Sequence, residues 1–454
     1  MPGIAKLRSF GLLALATAVV LTAGCSRQAS TGKDFTVATG WSQDADPLVA
    51  AERAVRMAVE RLGTSPLKGV IFYENFPRHA KEREIGEVVQ KVAGSAQTIG
   101  VRAIPYCDQG ALWENSVVAL AIGGRDAKVQ AAAARLDDNR LSLGREVGRQ
   151  IAGVGNPRLV MVLSEPNLSF AADHISVEDF LTGLKETFGE QAMVFGGNGL
   201  PDDKGGSLQF HNGKAMEGAV VAMGIAGPVR FIGSNTNEFE PVDRVITVTK
   251  ARGKWVMEFD GRPAAEVYRE LSGKKPGQPI TYDDVDPIGV DLGDGQLYVR
   301  MVLFEKKARY TAQEARRKDY IEESKDLPIG SLRFVAEVPE GTRARVLVYK
   351  GDPKRILQSA ATGVERALSQ MQSGEKPLVV LTSSCCARRF RLRDLDPRAD
   401  EVKEGIRLAS GAETVPVFGL DAWGELGPIH SPYKGLPYQY QQHTFVSGLL
   451  VLTR

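Results

Sequence analysis

The sequence predicts an α/β protein of repeated helix-strand-helix-strand-strand units, forming mixed sheets flanked by helices, with a β-rich insert in the middle. Three observations predict it. The same order of elements recurs three times; a glycine-bearing turn follows the second strand of each copy; and between the second and third copies the apolar period changes to two. The composition agrees: 454 residues, 43% hydrophobic and 25% charged, are enough for two or three domains with real cores. The 57 basic and 55 acidic side chains leave a charge of +2, without the basic excess of a nucleic-acid binder. Four Cys do not make a disulfide framework in so long a chain, and five His without paired spacing give no zinc signature, so no metal or cofactor is expected.

The first copy opens with Asp46-Pro47 and an amphipathic helix carrying Val49, Ala50, Ala54, Val55, Met57, Ala58 and Leu62, ended by Gly63. A buried strand over 69–73, a helix over 85–92, a strand near 101–104, a turn at 108–110 and a strand over 117–122 follow. The second copy has a helix over 143–152, a strand over 159–163, a helix over 180–188, Met193-Val194-Phe195, the turn Gly196-Gly197-Asn198-Gly199, and a strand over 219–225. The third repeats Asp-Pro at Asp352-Pro353, with a helix over 356–371, a strand over 378–381, a helix over 402–408, a strand over 415–418, a turn at 421–424 and a strand over 445–452. Roughly 31 to 37 residues separate the first and second strands in each copy, the size of a strand-helix-strand unit, which favours duplication over generic α/β alternation. In the insert, 244–249 and 254–259 read as a hairpin, 264–271 as a helix, and 296–305 and 331–338 as strands, while the charged run 306–325 reads as a solvated helix or loop.

The N-terminus reads as an address. Lys6 and Arg8 precede an apolar run, 10–22, too short to span a bilayer, and the run closes on Leu21-Thr22-Ala23-Gly24-Cys25. This resembles the lipobox of bacterial lipoproteins, which implies a signal peptide over 1–24, lipidation of Cys25 and a membrane partner. Ser26 after the cysteine resembles the outer-membrane sorting pattern, and the small polar residues up to position 34 read as a tether.

No phosphate-binding loop, zinc-protease motif, nucleophile elbow or paired carboxylates occur at a spacing that assembles locally. Turn geometry accounts for the glycine-rich segments. The densest polar cluster is Ser383-Ser384-Cys385-Cys386-Ala387-Arg388-Arg389, at the carboxyl end of a strand, where open α/β sheets place ligands. Arg388 and Arg389 offer forked donors for a carboxylate; the alternative is that the cysteines pack as small hydrophobes and the arginines pair with Asp or Glu. Cys107 leaves an odd number of thiols once Cys25 is lipidated. Trp423 and Glu425 follow the third copy's second strand, supplying an apolar wall and a carboxylate for an amino group, so that with the arginines the site matches a zwitterion. Otherwise Trp423 is a packed turn residue and Glu425 is exposed. Asn198, Asp202 and Asp203 in the second copy and Gln442 and His443 before the last strand complete the candidates, although the two aspartates read equally as turn formers and His443 as a structural histidine.

Several strings together resemble the FIST sensory proteins: Gly40-Trp41-Ser42 with Asp46-Pro47, Phe195-Gly196-Gly197 with Asp202-Asp203, Phe210-His211-Asn212-Gly213, Asp260-Gly261-Arg262-Pro263-Ala264-Ala265-Glu266-Val267-Tyr268, Ser384-Cys385 with Arg388-Arg389, and Gly424-Glu425-Leu426-Gly427-Pro428. The resemblance covers the chain from about Phe35 and implies an N-terminal domain over 35–245 and a C-terminal domain over 246–454. It implies a ligand-sensing module for small molecules, amino acids among them, and no enzymatic activity. Pro105-Tyr106-Cys107-Asp108-Gln109-Gly110 departs from the family's usual string there. The resemblance takes up the chain from about Phe35 on, so the signalling output is expected on a separate protein. The expectation is therefore a periplasm-facing lipoprotein of the outer membrane that binds an amino-acid-like ligand and signals through a separate protein partner. The alternatives are a thiol-dependent envelope enzyme using Cys385 or Cys386 with His443 as base, and a scaffold that binds no ligand.

Overall fold

The computed structural model describes residues 35–77, 81–168, 176–189, 191–201, 206–280, 286–312, 314–396, 398–409, 411–412, 414–433, 436–441 and 444–453. Three six-stranded sheets share one plan. In the first, Thr36–Gln43, Ser116–Gly123 and Leu67–Asn75 run antiparallel in that order, and Gln97–Arg102 joins parallel to Leu67–Asn75. The second repeats the plan with Lys128–Arg135, Ala219–Ala226, Leu159–Ser164 and Met193–Asn198, and the third with Val229–Thr236, Phe445–Leu452, Lys376–Cys385 and Val417–Ala422.

Each sheet is completed by a hairpin lent by another unit. The hairpin Leu208–His211/Lys214–Glu217 of the second unit adds to the first sheet. Glu425–Tyr433/Leu436–Gln441 of the third adds to the second, and Ile104–Cys107/Gly110–Ala111 of the first adds to the third. The exchange is cyclic, so the three units close into a pseudo-threefold ring and none completes its sheet alone.

Register makes the units superimposable residue by residue. Glu74 lies opposite Arg102, Ser164 opposite Asn198 and Ser384 opposite Asp421. Two residues before each second-strand member stands a glycine, Gly100, Gly196 or Gly419. A Cβ there would come 2.5 Å from the Phe72 ring, 2.0 Å from the Val162 carbonyl or 1.8 Å from Thr382 Oγ1, and these three are again equivalent positions.

Alternation along the strands sorts the core into two layers. Ile71, Tyr73, Leu159, Met161, Leu163, Val379 and Leu381 face a shared centre, where Tyr73 stacks on Phe418 at 4.4 Å. The opposite faces receive the helices: Pro47–Leu62 and Glu84–Ala93 on the first sheet, Arg140–Ile151 and Val177–Phe188 on the second, Pro353–Ser369 and the π-helical turn Glu401–Ile406 on the third. Asp46, Asn139 and Asp352 cap the leading helices, each accepting a backbone N–H, and Pro47 and Pro353 occupy their first turns.

The fold class and repeated units agree with the sequence reading, and five details differ. The strands 36–43, 128–135 and 229–236 that open each unit were not anticipated. The glycines at 196–197 lie inside the strand Met193–Asn198 rather than in a turn. Residues 386–395 form a helix, and the strand expected at 415–418 runs Val417–Ala422. Finally, the β-rich insert, a nine-stranded sheet with the helix Ala264–Leu271, interrupts the third unit after Val229–Thr236 rather than preceding it. The boundary expected after residue 245 therefore falls within that unit, between Val229–Thr236 and its partner Phe445–Leu452.

Candidate functional site

The second and third units meet where their second strands leave their sheets. Asn198 N donates to Gly424 O and Trp423 N donates to Asn198 O, both at 3.0 Å. The Asn198 amide donates to Trp423 O at 3.3 Å, and Ser164 Oγ donates to Asn198 Oδ1 at 2.6 Å. Gly197 permits the approach: a Cβ there would lie 2.7 Å from Ala422 Cβ and 2.9 Å from both Gly424 O and Ser383 Oγ.

Glu425 opens the crossing hairpin directly opposite Gly197. Its side chain is fully buried on the central side of the sheet, since Leu426 next to it faces the helical layer. Oε2 accepts from Thr444 N at 3.2 Å and Thr444 Oγ1 at 2.9 Å, whereas Oε1 has no hydrogen-bond partner among the described residues. Burial, with the neighbouring Cys385 thiol adding to it, pushes the Glu425 carboxyl well above its ordinary range. Cys385 ends the strand and caps the helix Cys386–Leu395, with its N–H donating to Thr444 O at 3.0 Å. Ser383 Oγ, also buried and facing the centre, has no partner among the described residues. Glu425, Cys385 and Ser383 thus share the central face, while the Asn198 side chain pairs with Ser164 on the helical face and the half-buried Trp423 holds the crossing through its backbone.

Arg388 and Arg389 lie on the other face, and here the expectation of a ligand carboxylate meets a physical obstacle. Arg388 is fully buried; its Nε donates to Glu401 at 3.1 Å, its terminal nitrogens pair with Glu238 and Glu401, and one also donates to Ser359 Oγ at 2.8 Å. Burial opposes its charge, but the two carboxylates outweigh that and hold the guanidinium protonated. Arg389 Nε lies 2.5 Å from Asp421 Oδ2, and its guanidinium sits 4.2 Å from the Tyr106 ring and 4.9 Å from that of Trp113. Burial lifts Asp421 to about 7 against the pull of Arg389, and the Tyr106 hydroxyl donates to it. Both arginines therefore neutralise internal carboxylates, and Arg389 also ties the third unit to Tyr106 in the hairpin of the first.

The remaining expectations divide by location. Asp202, Asp203, Gln442, His443 and the lipidation residue Cys25 lie outside the described residues. Cys107, Cys385 and Cys386 are all buried thiols rather than a vicinal disulfide. No cluster of metal-ligating side chains occurs among the described residues, and no described helix is long and apolar enough to cross a membrane. Sequence reading missed Glu238, Glu401 and Thr444 as partners of the site, because the first two are placed by contacts 150 and 13 residues from Arg388.

The FIST N domain model matches residues 68–262 and the FIST C domain model residues 320–428, together more than half of the chain. No curated protein matches. Among solved structures, a cyanuric acid hydrolase from A. caulinodans aligns at 9% identity over 43% of this chain and 72% of its own, with a TM-score of 0.24. T. maritima PurL complexed with ADP aligns at 12% identity over 94% and 75%, also with a TM-score of 0.24. Similarity at that level supports no argument about fold or chemistry. The two family matches, consecutive and in N-to-C order, establish that the chain belongs to the FIST family.

Proposed function

We propose that this protein is a non-enzymatic FIST sensor that binds a small polar ligand bearing an amino group at the junction of its second and third units. FIST domains are sensory domains for small ligands, which fixes the broad class. The observation that carries the ligand chemistry is Glu425: a fully buried carboxyl with one oxygen held by Thr444 and the other without a partner. Burial favours the protonated form of such a carboxyl, and an ammonium group placed against Oε1 would favour the ionised form and add a charge-assisted hydrogen bond. Cys385, Ser383 and Trp423 supply the neighbouring surface. The ligand carboxylate, if there is one, is met by groups other than Arg388 and Arg389.

Anchored through a lipid on Cys25 and facing the periplasm from the outer membrane, the sensor would pass occupancy to a separate signalling protein. The lipobox-like string Leu21 to Cys25 supports that part of the reading. A thermal-shift screen against amino acids, short peptides and simple carboxylates tests the ligand class: a specific ligand at 100 times its Kd stabilises the fold by about 2.7 kcal/mol. Metabolic labelling with palmitate, compared between the wild type and Cys25→Ala, tests the anchor; equal labelling would remove it.

A further inference from the structure

A cleft of about 650 Å³ opens on the far side of the Arg388 network, where the β-rich insert meets the third unit. One wall is a face of the helix Pro353–Ser369, presenting Arg355, Gln358, Thr362 and Arg366 at helical spacing. The facing wall is the segment 235–241, on which the chain leaves the third unit for the insert, together with residues 295–297 of the insert.

Its charges are unevenly satisfied. Glu238, on the floor, is claimed by Arg388 and Arg391, and Glu240 next to the rim is paired with Arg355 and Lys350. The Arg366 guanidinium has no carboxylate or hydrogen-bond partner among the described residues, so the cleft presents a net cation. Around it stand side-chain amides and a hydroxyl, Asn237, Gln296, Gln358 and Thr362, while Phe239, Pro241 and Leu297 form an apolar strip opposite. A guanidinium ringed by amides and a hydroxyl beside an apolar strip suits an anionic group carried on a hydroxylated organic body. A bare inorganic anion would leave the strip and most of the amides unused.

We propose that this cleft is a second ligand site, separate from the Glu425 junction, that takes a small hydroxylated organic anion of the sugar-acid or sugar-phosphate class. Its occupant bridges the insert and the third unit. Glu238 connects the floor through Arg388 to Glu401, which accepts from Ser384 Oγ at 2.7 Å, one residue from Cys385. A buried ion-pair chain thus runs from the cleft floor to Ser384, on the helical face of the strand whose next residue, Cys385, lies at the junction.

Isothermal titration of the full chain with glucose 6-phosphate and with galacturonate tests the proposal, with glucose and inorganic phosphate as controls. Saturable binding of at least one organic anion is expected, tighter than that of either control. Arg366→Ala should weaken it about tenfold or more, and Gln358→Ala by a smaller factor. Both residues are exposed on the helix surface, so both variants should keep the wild-type circular dichroism spectrum. Glu425→Gln should leave this binding unchanged while removing amine binding, which separates failure of this site from failure of the other. Absence of saturable heat with both organic anions, or an affinity that Arg366→Ala leaves within twofold, overturns the proposal.

Discussion

At Glu425 the two carboxyl oxygens have different fates, and that asymmetry gives a measurable signature in the ligand-free protein. The folded state holds the proton to a higher pH than the unfolded chain does, so the stabilisation is complete below the ordinary glutamate range and is lost as pH rises through the raised value. Glu74, lifted to about 7 by burial against the pull of Arg102, and Asp421, also about 7, contribute with the same sign. Stability should therefore fall between pH 5 and pH 7.5, each such group contributing up to about 1.4 kcal/mol per pH unit where only the folded form is protonated. Urea unfolding at both pH values should show a shallower fall in Glu425→Gln; an unchanged slope would show that Glu425 titrates normally. Arg388 makes the complementary case. Replacing it with Ala strands Glu238 and Glu401 in the interior, and a loss of about 3 to 5 kcal/mol in the same assay is expected. A loss below about 1 kcal/mol would mean that the pairs are solvated. The sequence placed Glu425, Cys385, Trp423 and Asn198 near strand ends, where the structure has them, and for Arg388 and Arg389 it left a ligand and internal carboxylates as alternatives, of which the structure shows the carboxylates. An arginine's sequence neighbours do not reveal whether its partner is a ligand or a carboxylate brought from 150 residues away.

The leading helices, whose buried faces are apolar, were readable, and the helix whose buried face is largely polar was not. Pro47–Leu62 and Pro353–Ser369 announce themselves through Asp-Pro caps and a regular apolar stripe. The helix Cys386–Leu395 buries Cys386, Arg388, Arg389 and Leu392, so half of its inner face is guanidinium and no hydrophobic period marks it. The strand glycines resemble turn signals for an equally local reason, since only the register reveals that Gly100, Gly196 and Gly419 avoid the side chain or carbonyl opposite. Gly419→Ala should cost about 1 to 3 kcal/mol through its clash with Thr382 Oγ1. Adding Thr382→Ala should restore part of that loss, because the two positions face each other in the sheet. A double variant no more stable than the additive expectation would place the strain elsewhere.

For the whole molecule, the repeated order of elements was visible along the chain, but the closure into a ring was not. The hairpins that complete each sheet are short, and their partners lie in other units, so no local pattern records the exchange. That closure has a consequence for the two-domain division suggested by the family models. A fragment ending at residue 245 carries Val229–Thr236 without its partner Phe445–Leu452, and the complementary fragment lacks the hairpin 104–111 that caps its sheet. Expressed alone, each half should be poorly folded by circular dichroism and size exclusion, whereas co-expressed halves should assemble into one species. Two halves that fold independently would contradict the ring.

The central claim is that the junction of the second and third units recognises an amino group through Glu425. The most direct measurement is the thermal midpoint of the wild type and of Glu425→Gln across a panel of amino acids and of the same molecules with the amine acetylated. Selective stabilisation of the wild type by free-amine ligands, lost both on acetylation and in Glu425→Gln, is the expected result. A midpoint that no amine raises, or that rises equally in the variant, would contradict it.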